Sequence, residues 1–216
     1  MVQSMMKSLA DYSDAFLAIR DFESALCDYT GAPYCVTTDS CTHAIELALR
    51  ITHDRSPVSF PARTYLSVLM TMHILDIPYE LEDLDWRESY EIKGTRVWDC
   101  ARRLAPGMYQ AGTIQCLSFG RTKPMEIGRG GCILTDDAEV YRRASMMRAD
   151  GRDIFKYSIG TEHSWARQET FEIGYHYTLR PGDCVEGLNL LEQKRFTPQI
   201  DKHYDYPDCR TIAIKS

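Results

Sequence analysis

Four short stretches carry the side chains that could do chemistry: Thr38-Asp39-Ser40-Cys41-Thr42, Pro61-Ala62-Arg63-Thr64-Tyr65, Asp99, and Ser118-Phe119-Gly120-Arg121-Thr122-Lys123. Lys123 offers an amine that can add to a carbonyl carbon and carry a proton. Asp99 places a carboxylate at the end of Val97-Trp98. Ser40-Cys41-Thr42 opens a helix, and the free N–H groups and dipole of a helix start favour an anion. Taken singly, each has an ordinary alternative: a solvated loop lysine, an aspartate capping a turn, plain N-capping by Ser40 or Thr42, a core tyrosine at Tyr65. Shared placement singles them out, because each stretch follows directly on a predicted strand, and in α/β sheets ligands lie beyond the carboxyl ends of the strands.

The elements that must hold these residues follow from apolar spacing. Residues 13–29 repeat apolar side chains on one helical face, with Gly31 as a stop. Residues 34–37 read as a strand and 42–51 as a buried helix. The alternation continues with strands at 58–60, 79–81, 96–98, 114–118 and 132–134 and with a helix capped by Thr64 that runs to about 74. Residues 137–147 and 183–196 read as helices, with Asp136 or Asp137 and Gly182 or Asp183 near their starts. Short strands alternating with helices predict an α/β protein, a three-layer α/β/α sandwich around a mainly parallel sheet.

Composition bounds the rest. The 216 residues are 44% apolar and 11% aromatic, enough to bury a sizeable core without disulfides or metal. A formal net charge of −6 gives no general attraction to nucleic acid or to an anionic membrane, so an anionic partner must be held locally. No apolar run reaches the roughly 18 residues of a membrane span, and the opening has no signal-peptide core, so a cytoplasmic protein is expected. Eight dispersed cysteines without a Cys-x-x-Cys pair point to buried free thiols.

In order and spacing these motifs resemble the DegT/DnrJ/StrS family of sugar aminotransferases, pyridoxal phosphate (PLP) enzymes of fold type I. The family's aromatic and acidic opening helix is similar to Phe22-Glu23 through Tyr29-Thr30-Gly31, followed by Tyr34-Cys35-Val36. Its Ser-Gly-Thr turn resembles Ser40-Cys41-Thr42, and its Pro-x-x-Thr-aromatic motif resembles Pro61 to Tyr65. Its Glu-Asp-x-Ala-Gln resembles Trp98-Asp99-Cys100-Ala101-Arg102, and its Ser-Phe-x-x-x-Lys with Gly-x-Gly-Gly resembles Ser118 to Lys123 and Gly128 to Gly131. Gly174-Tyr175-His176-Tyr177 and the helix at Gly187-Leu188 resemble its Gly-Tyr-Asn-Tyr segment and the helix that follows.

The resemblance implies roles. Lys123 would form the Schiff base with PLP and shuttle the proton; Asp99 would pair with the pyridine nitrogen and keep it protonated. Ser40, Cys41, Thr42 and Ser118 would hold the phosphate, Tyr65 would lie against the ring, and Arg102 would stand at the ring oxygen. His176 would reach the phosphate of the neighbouring subunit's cofactor in a homodimer. Arg63, Arg102, Arg103, Arg121 and Arg129 adjoin the motifs and suit the diphosphate of a nucleotide-linked keto sugar, with glutamate as amino donor.

The chain departs from the pattern at Cys41 for Gly, Arg102 for Gln, Trp98 for Glu, and at Gly120, where an aromatic or His is usual. It also reads as a single large domain over 1–216 without the family's C-terminal small domain. A separate chain that supplies the missing domain, or a catalytically inactive relative acting as a binding or scaffold protein, is therefore the alternative to a minimal aminotransferase.

Overall fold

A computed structural model describes residues 6–156, 164–194, 196 and 206–215. Among these residues five α-helices and seven strands follow one another as α1 (Phe16–Thr30), β1 (Tyr34–Thr38), α2 (Cys41–Thr52), β2 (Val58–Pro61), α3 (Leu66–Leu75), β3 (Tyr79–Glu82), β4 (Tyr90–Glu91), β5 (Val97–Asp99), β6 (Ile114–Ser118), β7 (Gly131–Thr135), α4 (Ala138–Met147) and α5 (Pro181–Glu192).

The main sheet has the order β1-β7-β6-β5-β4, and β2 and β3 form a separate parallel pair. Successive strand residues point to opposite faces and feed two cores. Val36, Cys116 and Ile133 join Ala44, Leu47 and Val140 on the side covered by α2 and α4. Cys35, Leu117, Cys132 and Leu134 join Ile19, Phe22 and Cys184 on the side covered by α1 and α5. The α/β/α layering is thus as expected. Gly31, at φ +79°, ends α1 by donating its N–H to the Cys27 carbonyl.

Strand direction differs from expectation: the sheet is mixed, not mainly parallel. Within the main sheet as described, β5 and β6 alone pair in parallel, while β1 with β7, β7 with β6, and β4 with β5 are antiparallel. The connection 119–130 carries no helix and zips back on itself, Phe119 donating to the Gly130 carbonyl and both Ile127 and Gly128 donating to the Phe119 carbonyl. β7 therefore enters at the end where β6 leaves, as a hairpin must. A second reversal, with Ile92 donating to Val97 and Gly94 at φ +88°, sets β4 against β5.

Two caps also differ. Thr64 does not cap α3; Tyr65 occupies the cap position, and the Thr64 hydroxyl turns to Tyr90 instead. α5 begins at Pro181 behind Arg180 and ends at Glu192, so the expected helical run past residue 192 is not helix, and Arg195 lies outside the described residues. Asp137 caps α4 as expected, accepting from the N–H groups of Glu139 and Val140.

All eight cysteines are free thiols, six of them buried. Among the described residues no group of His, Cys, Asp or Glu could hold a metal ion, and no helix is long and apolar enough to cross a membrane.

Candidate active site

The carboxyl ends of β1, β5 and β6 open into one cavity of about 550 Å³. Ser40, Cys41, Thr42, Tyr65, Asp99, Arg102, Ser118 and Lys123 all line it, although they come from four separated stretches of sequence. His176 does not: its ring is 72% exposed, with Nδ1 3.3 Å from Asp150 Oδ2. Arg121 and Arg129 also face the cavity, Arg63 lines a neighbouring cleft, and Arg103 sits 4.0 Å from Glu88 away from both.

One wall is the start of α2. Ser40 caps this helix from an extended conformation, its hydroxyl accepting the His43 N–H at 3.2 Å, and Ser40, Cys41 and Thr42 at the helix start all line the cavity. Thr42 ties the helix to α3 by donating to Ser67 Oγ at 2.7 Å. Cys41 turns its sulfur toward the β6 backbone, 3.6 Å from the Cys116 carbonyl oxygen. Its sulfur therefore rests against the sheet. Burial also pushes its thiol well above the usual range.

Asp99 is 4% exposed at the end of β5. Its Oδ1 accepts the Ala101 N–H at 2.9 Å and its Oδ2 accepts the Tyr90 hydroxyl at 2.9 Å. Burial raises its pKa above the usual carboxylate range; the two hydrogen bonds and the charge of Lys123 pull the other way. Four basic side chains, Arg102, Arg121, Lys123 and Arg129, face the cavity against two carboxylates, Asp39 and Asp99. In a chain of net charge −6 the cavity is locally cationic, which suits an anionic ligand.

Sequence reasoning missed Tyr90, Trp86 and Tyr206. Trp86 and Tyr206 stack at 5.9 Å and line both the cavity and the adjoining cleft of about 290 Å³. Trp86 meets Tyr90 edge-on at 4.7 Å. The Lys93-Gly94-Thr95 turn was the one sequence signal that a strand ends at Glu91 and faces β5. Nothing in the sequence signalled Tyr206, which arrives from a segment anchored by Cys209 donating to the Ala62 carbonyl at 2.9 Å.

Residues 10–75 and 107–196 match the profile of the DegT/DnrJ/EryC1/StrS aminotransferase family. Residues 76–106, which hold Trp86, Tyr90, Asp99 and Arg102, lie between the two matched stretches. A UDP-4-amino-4,6-dideoxy-N-acetyl-beta-L-altrosamine transaminase of Campylobacter jejuni is 22% identical over 251 aligned positions, which cover 91% of this chain and 65% of that protein. AtS13 of Actinomadura melliaura shares the fold at TM-score 0.64 and 20% identity, over 81% of this chain and 59% of its own. The sugar aminotransferase CalS13 of Micromonospora echinospora does so at TM-score 0.64 and 17% identity, over 82% and 60%. The chain thus spans about two thirds or less of the length of each of these proteins.

Proposed function

Because the chain belongs to the DegT/DnrJ/EryC1/StrS aminotransferase family, we propose that it is a PLP-dependent aminotransferase that moves an amino group from an amino acid, glutamate, to a nucleotide-linked keto sugar. One observation carries this reading: a lysine amine, a buried carboxylate and a capped helix start with hydroxyls converge on one cationic cavity. That donor set fits the group, since PLP combines an aldehyde, a basic ring nitrogen and a phosphate. When bound, PLP supplies an electron sink for the pair left on the substrate carbon.

The residues divide the remaining work. Lys123 would hold the cofactor through Nζ and, once released, move the proton between substrate and cofactor carbons. Asp99 would hold a proton on the ring nitrogen. Ser40, Thr42 and Ser118, with the α2 N–H groups at Cys41 and Thr42, would bind the phosphate. Tyr65 would orient the ring, and Arg102 would donate to its oxygen where the resemblance implies a glutamine. Arg121 and Arg129 are placed for a second anion, the diphosphate or a donor carboxylate. His176, exposed outside the cavity of its own chain, would serve the partner's cavity in a homodimer.

The test is the near-visible absorption spectrum of the protein with PLP, compared with Lys123→Ala, before and after glutamate. A band that requires Lys123 and is bleached by glutamate is expected. No band at saturating PLP would sink the proposal.

A further inference from the structure

Tyr90 has no part in the roles above, yet it is among the most deeply placed polar side chains near the cavity, 2% exposed. It lies directly opposite Asp99 in the antiparallel β4–β5 pair, so both side chains leave the same face of the sheet. The turn through Gly94 sets this register; a slip of one residue would send Tyr90 to the other face.

An ionised Asp99 can only accept, so the single Tyr90 hydroxyl proton goes to Asp99 Oδ2 at 2.9 Å. The Thr64 hydroxyl, 1% exposed, must then donate to Tyr90 Oη at 2.6 Å. The result is a directed chain, Thr64 to Tyr90 to Asp99, in which each donor polarises the next. With Ala101 N–H on the other oxygen, both Asp99 oxygens are held while each keeps a lone pair for one more donor.

We propose that Tyr90 is a positioning residue: it keeps Asp99 ionised and fixes which way its carboxylate faces, so that Asp99 can hold the proton on the cofactor's ring nitrogen. This rests on the proposed PLP chemistry, but Tyr90, Asp99 and Ala101 lie outside the two family-matched stretches, and only Thr64 lies within one. Burial alone would favour the neutral carboxyl, which cannot pair with a protonated ring; Tyr90 and Ala101 counter it with donors that water cannot supply at this depth.

The test has two readouts, one independent of the cofactor. The Asp99 carboxyl is titrated by carbon NMR in the protein without PLP, and PLP affinity is followed by absorbance across pH, in wild type, Tyr90→Phe and Thr64→Val. Tyr90→Phe keeps the ring and its packing and removes one donor to a charged acceptor. Its Asp99 midpoint should rise by about one unit, a tenfold change in proton affinity, with PLP binding weakened about tenfold. Thr64→Val, two hydrogen bonds away from Asp99, should give a smaller shift of the same sign. An Asp99 midpoint that stays in place in both variants while PLP still binds overturns the role of Tyr90 alone. A wild-type protein that takes up no PLP overturns this inference together with the proposed function.

Discussion

Gly131 on β7 lies so close to Cys41 at the start of α2 that a Cβ on it would sit 2.5 Å from the Cys41 nitrogen and 2.6 Å from the Leu117 carbonyl oxygen. Both neighbours are backbone, so neither can give way as a flexible side chain could. The absent side chain is what lets the helix start settle onto the sheet at the cavity wall.

Gly131→Ala is therefore expected to push α2 away from β7. The overpacking should destabilise the fold by about 1–3 kcal/mol and weaken PLP uptake, because the displaced N–H groups are those assigned to the phosphate. Thermal melts and a PLP titration check this together. Unchanged melting and binding would show that the contact is not needed.

Arg148 and Glu23 form a buried pair, 0% and 5% exposed, that joins the end of α4 to α1. Arg148 also donates to the Thr37 carbonyl at 2.8 Å, and Glu23 accepts the Thr37 N–H at 2.7 Å, so three elements meet there. Arg148→Met should cost about 3–5 kcal/mol by leaving a buried carboxylate alone. Adding Glu23→Leu should recover part of that loss in denaturant unfolding. Costs that simply add would refute a coupled pair.

Arg210 clamps the segment that carries Tyr206, reaching Asp83 Oδ1 at 2.6 Å and Asp208 Oδ2 at 2.6 Å. The guanidinium holds the Asp208 carboxyl down at about 2 and also lowers Asp83. A carboxyl lowered on folding stabilises above its unfolded value, about 3.9, and that contribution is lost as pH falls through the folded value. Wild type should accordingly melt slightly above Arg210→Ala at pH 5–7, with the gap closing between about pH 4 and pH 2. A gap independent of pH would assign the effect to packing.

Burial lifts the thiols out of the reactive range, Cys27 and Cys100 to about 12. Cys41 lines the cavity and is lifted as well. The native protein should therefore react slowly with an aromatic disulfide reagent at neutral pH, and all eight thiols should react on unfolding in urea. Rapid labelling of Cys41 in the native state would contradict this.

Much of the candidate site's lining was legible along the chain. Asp99 and Ser118 end strands whose apolar runs mark them, and the Ser40-Cys41-Thr42 turn and Lys123 follow within a few residues; strand ends are where such a sheet exposes backbone and side chains to a ligand. Helix spacing likewise placed α1, α2 and α4 within a few residues, because a periodic apolar face reports burial from local sequence alone.

Only the tertiary structure decided strand direction, the Tyr90–Asp99 pairing and the arrival of Tyr206. A strand buried on both faces carries the same apolar run whichever way it points, so the reversal of β7 left no periodic trace. Tyr90 and Tyr206 meet the cavity through a tight turn and a long-range anchor, and such contacts depend on how distant segments pack. The residues that can do the chemistry were thus set by local sequence, and the residues that hold them in place by the fold.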